Sequence, residues 1–253
     1  MAVGTEQVVY ERRGAAAWLV LNRPEVLNSL TPELVAGLRA GVRRAEADPE
    51  VRCIVVTGAG RGFCVGTDLA AARGDYGPFD LRTFLGSIRD GLLEIEASPL
   101  PVIAAVNGVA CAGGIELILA CDLVVAAEEA RIGDAHANFG LIPGGGCSVR
   151  LVERVGAVRA KQLFFSGDLL PAATLKEWGL VNEVAPAAGL EEAVGQLVAM
   201  LASRSPLATA RMKLLAGQAR ELPRREALDR EIDLVIEHES SADMAEGLSA
   251  FVE

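Results

Sequence analysis

Val102-Ile103-Ala104-Ala105-Val106-Asn107-Gly108-Val109-Ala110-Cys111-Ala112-Gly113-Gly114-Ile115-Glu116-Leu117-Ile118-Leu119-Ala120-Cys121-Asp122 is the stretch whose reading decides the fold. Val102 to Val106 is a short, continuous apolar run bounded by Pro101 and Asn107-Gly108, which predicts a fully buried strand. Gly113 and Gly114 let the backbone bend and approach a ligand closely. They stand where a helix from Ile115 to Ala120 leaves its first N–H groups without intrahelical partners. Those donors and the positive end of the helix dipole favour negative charge. Glu116 lies on the same helix face as Gly113, one turn on, and is the only charged residue between Val102 and Ala120. A carboxylate in so apolar a setting needs a partner or a task.

Working outward, a buried strand, a turn and an apolar helix recur along the chain. Val8 to Arg12 and Ala16 to Leu21 read as strands joined at Arg13-Gly14. Thr31-Pro32-Glu33 is a helix start, and Leu34, Leu38, Val42 and Ala45 carry an apolar stripe to Asp48-Pro49. Cys53 to Thr57 is the next buried strand, followed by a glycine-rich loop and by Phe63 to Leu69, which has few local signals. The polar segment through Asp80 reads as a lid or substrate loop, with a long helix from Leu81 to Ala97 after it. Asp122 to Ala126 is another strand, and an irregular segment runs from Arg131 to Gly146. Strands separated by helices imply crossovers and a largely parallel sheet, so the fold class is α/β. From Leu190 onward only helices are expected, with starts at Ser205-Pro206 and Leu222-Pro223 and a capping box from Ser240 to Asp243. Their apolar stripes imply contacts between subunits.

Composition narrows the function classes. The chain has 253 residues, half of them hydrophobic, enough for a large core without staples. A formal charge of −10, with no local cluster of Lys and Arg, argues against nucleic acid and anionic membrane surfaces. The five cysteines are scattered with no C-x-x-C pair, which predicts reduced, mostly buried thiols, a cytoplasmic location and no metal site. No basic segment precedes an apolar run at the N-terminus, and no stretch reaches the roughly 18 apolar residues of a membrane span.

Four ordered motifs then carry a resemblance. They are Asn22-Arg23-Pro24 with Leu27-Asn28-Ser29-Leu30; Ile54 to Gly58 running on to Phe63-Cys64-Val65-Gly66-Thr67-Asp68-Leu69; Asn107-Gly108 to Glu116; and Gly140-Leu141-Ile142-Pro143-Gly144-Gly145-Gly146. Together they resemble the enoyl-CoA hydratase/isomerase, or crotonase, family over nearly the whole chain. The resemblance implies a spiral core of strand-strand-helix repeats over residues 1–195. It also implies a C-terminal helical region over residues 196–253 that builds homotrimers, commonly stacked in pairs as hexamers. Substrates would be acyl-CoA thioesters, with coenzyme A part of the substrate and no separate cofactor. By motif position, the backbone N–H groups of Thr67 and Gly113 would hold the thioester oxygen as it becomes an enolate. Such donors are worth about 3 to 4 kcal/mol each. Glu116 would be one catalytic glutamate, activating water for attack at C3. Coenzyme A contacts would fall at Val26, Leu27, Cys64, Asp68, Leu69 and Phe251.

The chain departs from the family's pattern in two places. The second catalytic glutamate would stand twenty residues past Glu116, where this chain has His136 in Asp134-Ala135-His136-Ala137. A histidine can also exchange protons near neutral pH, and Asp134 could hold its ring if the loop folds back. Lysines that the family uses toward coenzyme A phosphates are replaced by Glu25 and Ala70, leaving Arg23 or Arg73 as candidate substitutes. The expected reaction is hydration of a 2-enoyl-CoA. The alternatives are isomerisation, decarboxylation or hydrolysis through His136, or an acyl-CoA-binding member that is catalytically silent.

Overall fold

The apolar pairing of the first two strands seeds the large sheet. β1 (Val8–Arg13) and β2 (Ala16–Leu21) form an antiparallel hairpin with Val8 opposite Leu21. Gly14 sits at its turn with φ +58°, a left-handed conformation that suits glycine. A computed structural model provides these coordinates and describes residues 6–74 and 80–252. Next come α1 (Pro32–Glu46), β3 (Cys53–Gly58), β4 (Gly62–Cys64), α2 (Leu69–Ala72) and α3 (Leu81–Ala97). Thr31 caps α1 by accepting from the Leu34 amide at 3.2 Å, and Asp80 caps α3 through the Thr83 amide at 3.1 Å.

Two further turns of the same design follow. The first is β5 (Val102–Val106), β6 (Val109–Cys111) and α4 (Gly113–Ala120); the second opens with β7 (Leu123–Ala127) and β8 (Arg131–Gly133). The chain continues through α5 (Cys147–Val155), α6 (Ala157–Ser166), β9 (Leu170–Pro171), α7 (Ala172–Glu177), β10 (Glu183–Ala185) and α8 (Leu190–Ala202). Three helices end it: α9 (Pro206–Glu221), α10 (Arg224–Glu239) and α11 (Ala242–Val252).

Each turn of the spiral lays one strand in each of two sheets. The larger has the order β1-β2-β3-β5-β7-β10, and the smaller the order β4-β6-β8-β9. Strands β2, β3, β5, β7 and β10 run parallel, as the crossovers require. Their continuous apolar sequences follow from burial on both faces: Cys53 to Val56 and Val102 to Val106 are all buried. Helix α4 is buried on every side, Glu116 included.

Two local expectations are corrected. The segment from Arg131 is not irregular from its start, because Arg131 to Gly133 pairs with β6 and β9 as a short strand. The cap of α11 is Ser241, whose Oγ accepts from the Met244 amide at 3.2 Å, rather than Ser240. Helix α8 runs unbroken through residues 195 and 196, with Leu190, Ala193 and Val194 buried. Of the expected lid, residues 75–79 lie outside the described residues.

Candidate active site

Parallel strands β4, β6 and β8 lie side by side, and the segment leaving each C-terminal end carries a residue singled out by the sequence. Ligand sites in open α/β sheets form at such strand ends. Past Cys64 comes Gly66-Thr67, past Cys111 comes Ala112-Gly113, and past Gly133 comes Asp134-Ala135-His136.

The first two segments meet at Gly66. A methyl group there would fall 2.8 Å from the Gly113 nitrogen and 2.7 Å from the Ala112 Cβ, so only glycine fits. Leu30 ties down the first segment by donating to the Gly66 carbonyl at 2.7 Å and accepting from the Asp68 amide at 3.0 Å. Among the described residues neither the Thr67 nor the Gly113 amide has a hydrogen-bond acceptor. Ala112 holds φ +50° and ψ −119°, a conformation costly for a residue with a Cβ. It is kept there by its amide, which donates to the Asp134 carbonyl at 2.9 Å. That bond joins the second segment to the third.

Glu116 is buried one turn into α4. Its Oε1 accepts from the Gly145 amide at 2.7 Å and the Cys147 amide at 3.2 Å, at the N-terminus of α5. Burial raises its pKa above the ordinary carboxylate value; the two amides and the nearby His136 oppose this, and the Asp134 charge adds to it. Arg150 clamps the loop behind it, donating to the Gly145 carbonyl at 2.8 Å while bridging Glu96 through two nitrogens at 2.9 and 2.6 Å.

His136 opens a 3-10 turn, His136 to Phe139, entered through Ala135 at φ +60°. That left-handed residue folds the chain back, so His136 Nδ1 lies 3.0 Å from Asp134 Oδ1. Burial works against the charged ring, but the hydrogen bond and charge of Asp134, with the charge of Glu116, outweigh it and hold the His136 pKa above its ordinary value. The surrounding thiols stay protonated: burial pushes Cys111 up to about 11 and Cys64 up to about 12, and Cys147 is raised as well, by burial first and then by the charges of Asp134 and Glu116.

The structure therefore gathers Thr67, Gly113, Glu116 and His136 around one set of strand ends. The residues expected to meet coenzyme A divide differently. Val26 and Leu69 are exposed, while Leu27 adopts φ +51° after the 3-10 turn Pro24 to Val26. Cys64 is fully buried, and the Asp68 carboxylate pairs with Arg23 at 2.9 Å and accepts from the Ala70 amide at 3.0 Å. Neither side chain is presented to a ligand. Arg23 also donates to the Ser29 carbonyl at 2.7 Å, so it is committed to the frame and does not replace a missing lysine. Phe251 falls in α11, and its side chain lies outside the described residues. His238 is partly buried, with its ring nitrogen 3.3 Å from Ser241 Oγ.

Sequence reasoning missed the Gly145 and Cys147 amides on Glu116 and the Arg150 clamp. An apolar cavity of ≈ 20 Å³ also borders the turn, lined by Leu30, Ile88, Leu92, Gly113 and Leu117 among others. A larger open cleft of ≈ 540 Å³ runs along α3 past Leu81, Arg82, Leu85 and Arg89 to Gly144. Among the described residues no three metal-ligating side chains gather, and no helix is long and apolar enough to cross a membrane.

The double spiral and its site define an acyl-CoA-processing enzyme of the crotonase fold. The sequence pattern of the enoyl-CoA hydratase/isomerase family matches residues 11–253, and the chain belongs to that family. It is 34% identical to enoyl-CoA hydratase EchA19 of Mycobacterium tuberculosis, over 96% of this chain and 92% of that one. It is 37% identical to 1,2-epoxyphenylacetyl-CoA isomerase of Escherichia coli, over 92% of this chain and 90% of that one. The crystal structure of an enoyl-CoA hydratase from Bacillus anthracis superposes with a TM-score of 0.91 at 32% identity, covering 97% of this chain and 95% of that chain.

Proposed function

We propose that this enzyme adds water across the double bond of a 2-enoyl-CoA. The observation that carries the reading is the buried Glu116 carboxylate, one helical turn from the unpartnered Gly113 amide and within electrostatic reach of the Asp134–His136 pair. Relatives whose names specify hydration support it, while the isomerase among them shows that similarity alone does not choose the reaction.

The thioester oxygen accepts from the Thr67 and Gly113 amides, which drains electron density from C3. Glu116, its pKa raised, takes a proton from water as the water oxygen bonds to C3. The electrons of the double bond move onto the thioester oxygen, where the two fixed donors stabilise the enolate. His136, held charged above its ordinary pKa, gives a proton to C2. The proton on Glu116 then returns through solvent to His136, so the sum is addition of one water. The apolar cavity at Gly113 and the cleft along α3 are positions for the acyl group. Backbone at Val26, Leu27, Cys64, Asp68 and Leu69, with Phe251 of α11, would meet coenzyme A. Exposed Met212, Ile232, Ile236 and Leu248 on α9, α10 and α11 support association into trimers or hexamers, and five unpaired thiols support a reducing, cytoplasmic setting.

The test follows loss of the conjugated enoyl absorbance on short and medium 2-enoyl-CoA substrates. Wild type turns over, and Glu116→Gln and His136→Ala each lose roughly 10² to 10⁴ in kcat. A folded wild type that binds these thioesters without consuming them would sink the hydratase reading. Appearance of free thiol would point instead to hydrolysis through His136.

A further inference from the structure

The third segment of the site contains more than the histidine that replaces the family's second glutamate. Asp134 is 1% exposed. Its carbonyl accepts from Ala112 and its Oδ1 meets His136 Nδ1 at 3.0 Å, with the Cys147 thiol near enough for the Asp134 charge to raise its pKa. Ala135 has no glycine's freedom, yet it stands at φ +60°, and that conformation is what brings residue 136 back over residue 134. A buried carboxylate whose backbone is tied to the neighbouring segment and whose oxygen is aimed at one ring nitrogen decides which nitrogen carries the proton.

We propose that Asp134 is a positioning residue that keeps the His136 proton on Nδ1 and so leaves Nε2 as the atom that exchanges protons with the substrate. This rests on His136 being the acid of the proposed reaction, but the tautomer is set by the fold alone. The groups acting on the ring are Asp134 at the end of β8 and Glu116 on α4; Cys111 on β6 and Cys147 on α5 lie in the field of Asp134, with Arg150 of α5 acting on Glu116 and Cys147. Both thiols have raised pKa values, so the carboxylates dominate the field at the ring near neutral pH.

The chain has two histidines, which makes a direct test simple. Nitrogen-15 NMR of the imidazoles in the full-length protein gives two ring systems, and His238→Gln assigns them. In wild type the neutral His136 ring carries its proton on Nδ1 and titrates above an ordinary imidazole. Asp134→Asn lowers the His136 midpoint below the wild-type value, and Asp134→Ala returns the neutral ring to the ordinary mixture of tautomers. The unchanged His238 resonances, reporting the α10 to α11 junction, verify the fold. On enoyl-CoA, Asp134→Asn moves the alkaline limb of kcat to lower pH and leaves KM near wild type. A wild-type His136 ring protonated on Nε2, or a midpoint that Asp134→Asn does not move, overturns the proposal. If no enoyl-CoA is hydrated, the proposed function fails while the NMR result still stands or falls by itself.

Discussion

Gly66→Ala tests the two proposed oxyanion donors apart from everything else in the site. The new methyl would lie 2.7 Å from the Ala112 Cβ and 2.8 Å from the Gly113 nitrogen. Carbon contacts prefer about 3.5 to 4.0 Å, so the two segments must part by about 1 Å. Residue 66 also holds φ +88°, which alanine resists. Strain and overpacking together amount to about 2 to 5 kcal/mol, less than the stability of most domains of this kind. The folded variant then presents Gly113 about 1 Å out of place relative to Thr67. Displacing or losing one such donor costs roughly 10² to 10³ in kcat. Urea unfolding measures the stability loss, and enoyl-CoA turnover under conditions where the variant is folded measures the catalytic loss. A folded Gly66→Ala enzyme with kcat within about tenfold of wild type would refute the reasoning, because rate then would not depend on how these two amides are spaced.

Thr67→Ala should leave kcat and KM near wild type, since only the amide of residue 67 is asked to act; a loss of more than about tenfold would put the hydroxyl into the reaction. Arg150→Met leaves Glu96 with only the distant Arg220 at 3.9 Å and removes the donor to the Gly145 carbonyl. Unfolding free energy should fall by about 2 to 3 kcal/mol, and kcat should fall more than KM changes, because the loop that fixes Glu116 loses its brace. Stability should also depend on pH. Glu116 and His136 both have raised pKa values in the fold, so their contributions are fully present below the ordinary values of 4.5 and 6.5 and are lost as pH rises through the raised ones. Urea titrations should therefore show that Glu116→Gln flattens the decline that begins above pH 4.5, and that His136→Ala flattens the part beginning above pH 6.5. Parallel pH profiles for wild type and both variants would contradict this.

What could be read from the sequence was what local chemistry encodes. Thr31-Pro32 announces α1, the run Val102 to Val106 announces β5, and Gly113-Gly114 announces a strand-to-helix turn, because cap, burial and bend each rest on adjacent residues. The short strand β8 has three residues and β9 two, too few for any periodicity to show. Contacts made across the spiral carry no local mark either. Gly145 lies 29 residues from Glu116, Asp68 lies 45 from Arg23, and Arg150 lies 54 from Glu96. The Asp134–His136 contact spans only two residues, yet it depends on a left-handed Ala135, and alanine gives no sign of adopting that conformation.

The way the site is assembled also explains which parts of it are free to vary. Three parallel strands deliver three segments to one place, and the first two contribute backbone, so side-chain identity at Thr67 is unconstrained by the oxyanion. The constraint falls instead on glycine at 66, where any Cβ would push against the Gly113 amide. The third segment contributes side chains, and the Ala112 amide joins the second segment to it at the Asp134 carbonyl, a bond made by any residue pair with the same backbone. Chemistry at position 136 can therefore change without disturbing the donors that stabilise the enolate, provided that the new group keeps its own support. A glutamate there needs no tautomer, whereas a histidine does, and Asp134, buried beside it, meets that requirement. In the proposed reaction the enolate is thus stabilised by backbone that the fold supplies, and its fate falls to Glu116 and the Asp134–His136 pair.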